Sequence, residues 1–386
     1  MDALKKEKIK KAAWFEGRKD LKERLSTLDI GDYRKLLTQR NLTYTREDRR
    51  QALFERVKND LENEEVMKND LLELSDLGVK TVKAIFNGEG VVDVYEYMSI
   101  QPIIDLGYFT SISNYRFSYD EETKENVLHI LNDPIFEEHR HKYSTMKALE
   151  LYAAMLYMDI DLDHMYHLWE NSIKDTSMDE FFDYHNQLRI YDLIYNQKTK
   201  HFTAYDILKN EQQEMAKQIH ASSQFGFTPF DPIDLEDFSN YRFPYHNDNY
   251  IDLLEYLTVH SDVDVCEIMN HVICLFVLAT NDSPVDGLIK VIQEEWDEIS
   301  DLNKKDCLRL IELCFNTTRH VSCYGEKPIV QLYQQVREGK LLIPKSQIDD
   351  QYDEYHEQIL EKGLDFVDVG NAYKVVFSDK DPNTLN

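Results

Sequence analysis

Apolar residues recur every three or four positions along most of the chain, the spacing that places them on one face of an α-helix. In residues 32–57 this spacing predicts two short helices joined by a polar link. Thr45, with Asp48 three residues later, predicts the start of the second helix through a capping interaction. The apolar faces that would meet are Leu36, Leu37 and Leu42 on the first helix and Leu53, Phe54 and Val57 on the second.

Residues 107–131 depart from this spacing and are rich in β-branched and aromatic residues, which favour strands. The polar sequence DEETKEN within them predicts the turn of a small β-hairpin. Helices precede the hairpin, and Pro134 predicts the first turn of another helix after it. This order of elements is the outline of a winged-helix module.

Further helices are predicted over residues 144–386. Ser283 suits the N-cap of one of them, and Pro284 suits its first turn. Residues 225–250 interrupt the helices with three prolines and eight aromatic residues. So many rings predict a strap that packs into a groove between helices.

The composition favours helices throughout. The 386 residues include only 12 Gly and 9 Pro, so few positions break a helix, and a chain of this length forms more than one domain. We predict a mainly α, multi-helical fold with a small winged-helix-like α+β module in the N-terminal half. The three predicted domains are a basic helical module (1–63), the winged-helix-like module (64–143) and an acidic helical body (144–386).

Charge is distributed unevenly in a chain whose net charge is −28. Residues 1–57 carry 16 Lys and Arg against 10 Asp and Glu, whereas the remaining 329 residues carry 28 against 62. This asymmetry is compatible with a basic arm that contacts a polyanion. It is equally compatible with an arm that folds back onto the acidic body.

The sequence predicts a cytoplasmic protein without a membrane-spanning segment. No apolar run reaches the length of about 18 residues that a membrane helix needs, and the N-terminus lacks the apolar core of a signal peptide. The five cysteines have spacings that fit no disulfide framework, which indicates reduced thiols.

Seven basic residues in the segment 32–57 are candidates for nucleic-acid binding. Arg46, Arg49 and Arg50 have the spacing i, i+3, i+4, which would place them on one helix face that can follow phosphates. Glu47 and Asp48 lie between them and oppose phosphate binding. The candidates are Arg34, Lys35, Arg40, Arg46, Arg49, Arg50 and Arg56.

The same segment resembles a known kind of nucleic-acid module. The pattern LLTQRNL, followed by a polar link and a helix ending in ALFERV, is similar to the helix-link-helix of SAP-type and Rho-N-type modules. The resemblance covers less than a tenth of the chain, and the glycine usual in the SAP link is missing. It implies contact with DNA or RNA through residues 1–63.

Residues 310–332 resemble the NNTR…KG-TP segment of uncharacterised bacterial helical proteins, many of which end in a SEC-C metal-binding tail. The cysteine-rich tail is absent here, so no zinc site is carried over, and the resemblance implies a bacterial cytosolic protein. The same residues predict a helix end, a polar turn and a new helix. The positions that carry the resemblance are Asn316, Thr317, Thr318, Arg319, Gly325 and Pro328.

The sequence DIDLDHMYHLWE matches a calcium-binding loop in part. Asp159, Asp161, Asp163 and Glu170 take the ligand positions, but His164 takes the position that requires glycine. We therefore predict a helix capped by an upstream aspartate.

Three other groups have some metal-ligand character but no complete ligand set. Surface histidines and buried thiols explain them without a metal. We predict neither a metal nor another cofactor. The groups are His164 with His167, His139 with His141, and Cys314 with His320 and Cys323.

The chain contains none of the motifs GxSxG, GxxxxGK[ST], HExxH or GxGxxG. We predict a non-enzymatic regulatory or interaction protein that contacts nucleic acid through its basic N-terminal helices. The acidic body would bind a protein partner or a second copy of the chain. One alternative is an acidic protein–protein interaction module that binds no nucleic acid, and another is an enzyme with an unrecognised site.

Overall fold

The computed structural model is mainly helical, as the apolar spacing predicts. Three small sheets lie among the helices. The structure describes residues 13–18, 20–113, 115–188, 192–210, 212, 216–219, 226–261, 263–283, 304–348, 352–361 and 363–378.

Most of the described helices begin after an Asp, Asn or Ser whose side chain accepts a hydrogen bond from the first turn, the usual N-cap. Within the described residues, no helix combines the length and apolar character needed to cross a membrane. The helices are α1 (Leu21–Leu25), α2 (Ile30–Gln39), α3 (Arg50–Leu61), α4 (Glu64–Leu71), α5 (Asp76–Phe86), α6 (Val94–Ser99), α7 (Gln101–Asp105), α8 (Glu121–Leu131), α9 (Pro134–Tyr157), α10 (Leu162–Ser172), α11 (Met178–Gln187), α12 (Tyr205–Lys209), α13 (Pro232–Tyr241), α14 (Asp248–His260), α15 (Val265–Thr280), α16 (Lys304–Thr317), α17 (Pro328–Arg337), α18 (Lys345–Ile348) and α19 (Tyr352–Glu361).

The described strands form one sheet of four and two sheets of three. The orders are β2-β1-β4-β3, β5-β7-β6 and β8-β10-β9. All neighbours are antiparallel except β1 and β4, which are parallel. The strands are β1 (Ala13–Arg18), β2 (Val91–Val92), β3 (Thr110–Ser113), β4 (Arg116–Asp120), β5 (Asp159–Asp161), β6 (Leu193–Asn196), β7 (His201–Ala204), β8 (Leu342–Pro344), β9 (Leu364–Asp368) and β10 (Ala372–Phe377).

Strand β1 corrects the prediction that residues 1–63 form only helices. Ala13 and Phe15 are buried and Trp14 between them is exposed, which is the alternation of a strand with one buried face. The ring of Phe15 packs 5.3 Å from that of Phe117 on the parallel partner β4. Because β1 lies between β2 and β4, the sheet joins residues on both sides of position 63.

The predicted hairpin exists, but its turn does not lie at DEETKEN. Strands β3 and β4 are antiparallel with Ser113 opposite Arg116, and DEETKEN begins α8 instead. Asp120 caps this helix by accepting a hydrogen bond of 2.7 Å from the Thr123 N–H. Glutamates in its first turn suit the positive end of the helix dipole. The acidic sequence is therefore a helix start rather than a hairpin turn.

The long helix α9 begins at Pro134 as predicted, and it is capped by Asp133. The strap predicted over residues 225–250 packs its rings against this helix, with the short helix α13 inside it. Phe230 and Phe238 lie 4.8 and 4.9 Å from the ring of Tyr152 on α9. Phe238 also lies 6.2 Å from the ring of Phe276 on α15, so rings of this segment pack between two helices, as predicted.

Residues 310–332 form a helix end, a turn and a new helix, as predicted. Helix α16 ends at Thr317, and α17 begins with Pro328 in its first turn. Arg319 between them donates hydrogen bonds to Asp234, at 2.7 Å, and to the carbonyl oxygen of Gly325, at 2.8 Å. The polar residues of this segment therefore hold the turn against the strap.

The C-terminal strands were not predicted. Strands β8, β9 and β10 pack with α17 and α19 around a second, smaller core formed by Val336, Leu364 and Val375. The predicted helix beginning at Pro284 lies outside the described residues.

Candidate nucleic-acid interface

Helices α2 and α3 pack together through the apolar faces predicted from the sequence, except that α2 ends at Gln39 and Leu42 lies beyond it. Leu37 on α2 and both Leu53 and Val57 on α3 are fully buried. The rings of Tyr33 and Phe54 meet edge to face at 6.4 Å. This packing fixes the polar residues 41–49 that connect the two helices, which we call the arginine link.

The second helix begins at Arg50 and not at Thr45. The backbone N–H of Thr45 donates to Asp48 at 2.8 Å, which closes a local turn. Arg49 takes the N-cap position with an extended backbone, and its side chain makes no cap. Arg46 and Arg49 therefore lie on the non-helical link, whereas Arg50 is the first residue of α3, and the three do not share a helix face.

Arg40 is a buried structural residue. Its side chain is 2% exposed and forms ion pairs with Asp60 on α3 and, at 2.8 Å, with Asp70 on α4. It also donates to the carbonyl oxygen of Leu106 at 2.5 Å and lies over the ring of Tyr108. Arg40 joins three elements and offers no surface to a ligand.

Arg34, Arg50 and Arg56 each donate to backbone carbonyl oxygens nearby. Arg34 reaches Arg46 O at 3.0 Å, and Arg56 reaches Thr43 O at 2.9 Å. Both bonds hold the arginine link against its flanking helices. The Arg50 guanidinium donates to the carbonyl oxygens of Ser26, at 2.6 Å, and Leu28, at 2.8 Å.

Lys35, Arg46 and Arg49 are exposed. No hydrogen bond or ion pair engages their side chains among the residues that the structure describes. Asp48 pairs with Arg56 at 2.8 Å. The hydrogen bond from the Thr45 N–H, together with this guanidinium, lowers the pKa of Asp48. Of the two acids that oppose phosphate binding, Asp48 is thus partly neutralised by an arginine of the same segment, whereas Glu47 is exposed.

The sequence that partly matches a calcium-binding loop forms a capped helix, as predicted. Asp161 is the N-cap of α10 and accepts a hydrogen bond of 3.0 Å from the His164 N–H. His164 also pairs with the Asp161 carboxylate through Nδ1 at 2.6 Å. The ligand positions after Asp161 lie on a regular helix, which cannot wrap around a cation.

The other groups with metal-ligand character engage partners of their own. His139 contacts Tyr184 Oη at 3.1 Å, and His320 contacts Asp282 through Nδ1 and Phe315 O through Nε2, each at 2.8 Å. Burial raises the pKa of the Cys314 thiol. Among the described residues, no three His, Cys, Asp or Glu are arranged to hold a metal ion.

The pKa of His141 is shifted by its ion pair with Asp76. The Nδ1 atom of His141 on α9 lies 3.1 Å from Asp76 at the start of α5, and Asp76 also accepts from Arg140 at 2.5 Å. The hydrogen bond to Asp76 raises the pKa of His141. Burial opposes ionisation of Asp76, but the hydrogen bonds from His141 and Arg140 outweigh it and lower its pKa to about 2.

We expect Asp76→Asn to lower the pKa of His141 towards its ordinary value of about 6.5. Because the folded pKa of His141 is raised, its contribution to stability is present below about pH 6.5 and is lost as the pH rises through the folded value. Asp76→Asn therefore destabilises the protein more at about pH 5 than at about pH 8. NMR titration of His141 and urea unfolding at both pH values measure this. In a His141→Gln background the difference between the two pH values disappears.

Sequence reasoning missed a buried pair on α9 and α11. Glu150 is 0% exposed and pairs with Nδ1 of the buried His185. Its second oxygen, Oε2, has no hydrogen-bond partner within the described residues. Burial raises the pKa of Glu150, although His185 opposes this. A glutamate inside the apolar sequence ALELYAAMLY was the available signal, since a charged residue at a core position indicates a specific partner.

No protein-family model, curated protein or solved structure matches the chain.

Proposed function

We propose that this protein binds the phosphate backbone of DNA or RNA through the arginine link. The observation that carries the proposal is the bracing of the link by Arg34 and Arg56, which leaves Arg46 and Arg49 exposed. A braced backbone loses little conformational entropy on binding. Guanidinium groups suit phosphate because they donate two parallel hydrogen bonds.

The binding is expected to be salt-dependent and independent of base sequence. Phosphate contacts release counterions, and they carry no sequence information. The acidic residues beyond position 57 repel a polyanion at longer range, so the basic link acts only at close contact.

We also propose that residues 64–143 form a winged-helix-like module that takes part in the same binding. The order α5, β2, α6, α7, β3 and β4 supports it, because a strand and two helices precede a hairpin. The position of β1 between β2 and β4 is an addition to that outline. The β3–β4 hairpin is then a second element that can approach the nucleic acid.

We expect Arg46→Glu/Arg49→Glu to weaken binding about ten-fold or more, because repulsion replaces two phosphate contacts. In Arg46→Ala/Arg49→Ala, the slope of log affinity against log salt falls by about 2. Fluorescence anisotropy of labelled duplex DNA, single-stranded DNA and RNA, with the full chain between about 50 and 150 mM salt, measures both effects.

A matched control changes charge by the same amount elsewhere. Lys80 and Lys174 are exposed, and Lys80→Glu/Lys174→Glu repeats the charge reversal outside the arginine link. Equal weakening by both double variants would show that net charge alone governs binding and would remove the assignment to the link. The full chain is used because β1 and Arg40 tie residues 13–63 to the rest of the fold.

The acidic interaction module remains the competing function. If no nucleic acid binds at either salt concentration, the link does not contact phosphate. Salt-sensitive binding of a basic protein such as lysozyme would then favour the acidic body as the functional surface.

A further inference from the structure

A cavity of about 710 Å³ opens beside the buried Glu150–His185 pair. This volume lies within the range of about 300 to 1,000 Å³ that small-molecule sites occupy. Its lining combines aromatic and aliphatic side chains with two carboxamides and one imidazole. The lining residues are Phe182, His185, Asn186, Leu193, Ile194, Tyr195 and Gln197.

The aromatic wall of the cavity is held rigidly. Phe182 and Tyr195 pack against each other at 5.1 Å, and Tyr195 packs against the buried Phe202 at 4.8 Å. Phe202 in turn meets the ring of His185 edge to face at 5.2 Å. A planar ligand that enters the cavity therefore meets preformed aromatic surface, to which bases bind by stacking.

The buried Glu150 next to the aromatic wall determines the orientation of the His185 imidazole. The Glu150 carboxyl group contacts Nδ1 of His185, so the imidazole is oriented by a group that the ligand does not reach. Burying a carboxylate is costly unless the charge is paired and hydrogen-bonded, and His185 is the partner here. The carboxamide of Gln197 supplies both a donor and an acceptor to a ligand.

Basic residues lie at the turn that carries Gln197. The β6–β7 turn continues through Lys198 and Lys200, both exposed. It is closed by the Lys200 N–H, which donates to Asn196 O at 2.8 Å, and by the Lys198 N–H, which donates to Asn196 Oδ1 at 3.0 Å. Except for His185, the lining itself contains no ionisable side chain at neutral pH. An uncharged planar group in the cavity and a phosphate at the turn fit this arrangement.

From these contacts we infer that the cavity binds a nucleoside 5′-monophosphate, with the base against Phe182 and Tyr195 and the phosphate at Lys198 and Lys200. The Gln197 carboxamide can recognise a base edge by paired hydrogen bonds. The site is separate from the arginine link and does not depend on it. The ligand is a free nucleotide or the terminal nucleotide of a strand, which share this chemistry.

Isothermal titration of the full chain with the four common nucleosides and their 5′-monophosphates tests the inference. At least one monophosphate is expected to bind, and Gln197→Ala weakens it about ten-fold, the effect of one lost hydrogen bond. Lys198→Glu/Lys200→Glu weakens the monophosphate but leaves the nucleoside unchanged. Gln51→Ala, which removes an exposed carboxamide on α3, changes neither. Competition by an oligonucleotide with a 5′-phosphate distinguishes a strand end from a free nucleotide.

Two observations link the pair to the ligand. Addition of the nucleotide shifts the NMR resonances of His185, and Glu150→Gln changes the affinity for the nucleotide because the imidazole loses the carboxyl group that orients it. If Glu150→Gln does not fold, the shift of the His185 resonances in the unaltered protein still decides the question. Absence of binding by all eight compounds, or binding that leaves both His185 and Gln197→Ala unaffected, overturns the inference.

Discussion

Gly325→Ala is expected to destabilise the protein by about 3 to 5 kcal/mol, as backbone strain and overpacking add. Gly325 has a φ of +89°, which side-chain-bearing residues rarely adopt. An added Cβ would also overlap the carbonyl oxygen of Thr228 and lie 2.7 Å from the Tyr157 ring. The backbone of the turn at Gly325 therefore contacts the backbone of the strap at Thr228.

The neighbouring hydrogen bonds prevent the backbone from moving aside. The Thr228 N–H donates to Tyr324 O at 3.1 Å, and the Tyr157 hydroxyl donates to Thr228 O at 2.9 Å. Arg319 holds the carbonyl oxygen of Gly325 itself. Relief of the overlap therefore breaks bonds between the turn and the strap, so the amide of Thr228 is expected to exchange its hydrogen faster in the variant.

Variants of two other glycines separate the effect of backbone strain from that of overpacking. Gly88 has a φ of +104° with open space around it, so Gly88→Ala measures backbone strain alone. Gly226 lies in the strap with open space around it, and Gly226→Ala is expected to leave stability nearly unchanged. Urea unfolding ranks the three variants. A loss for Gly325→Ala no greater than for Gly88→Ala would mean that the turn does not approach the strap as described.

Local signals predicted the helices of this fold well. Asp161 and Pro134 mark helix starts through capping and a fixed φ, which depend only on residues within one turn. The turn at Gly325 follows from the same local chemistry. What the sequence did not indicate is that Thr228, nearly a hundred residues earlier, lies against it.

Partners distant in sequence explain the errors. The strand at Ala13–Arg18 pairs with residues about a hundred positions away, and six residues show too little alternation to reveal it. Whether a charged side chain is accessible to a ligand also depends on its partners in the fold. Arg40 counts as a basic residue in the sequence, but Asp60 and Asp70 enclose it in the fold. The Glu150–His185 pair was missed for the same reason, because its two members lie on different helices, 35 residues apart in sequence.

Replacement of either member of the buried ion pair between Arg24 and Asp120 is expected to cost about 3 to 5 kcal/mol. Both side chains are 0% exposed, and Nε lies 2.7 Å from the carboxylate. Arg24 also donates to Gly107 O and Thr110 Oγ1, each at 2.7 Å. Arg24→Met leaves a buried carboxylate without its counter-charge, and Asp120→Asn leaves a buried guanidinium.

The double variant Arg24→Met/Asp120→Asn is expected to lose less than the sum of the single variants, with a coupling of at least about 2 kcal/mol. Asparagine still caps α8, because its side-chain oxygen accepts from the Thr123 N–H as Asp120 does. Urea unfolding midpoints of the four proteins complete the cycle. As a control, Lys68→Met and Glu64→Gln remove an exposed ion pair on α4 and are expected to leave the midpoint unchanged.

The cycle also tests whether the basic N-terminal segment is a separate unit. Arg24 lies on α1, whereas its partners belong to β3, β4 and the start of α8. If the pair is coupled as expected, residues 20–39 and the four-stranded sheet stabilise each other, and the arginine link is held on the fold through α1 and α2. Additive losses would mean that the two side chains do not stabilise each other, and an N-terminal segment that unfolds independently would then become compatible with the charge asymmetry of the chain.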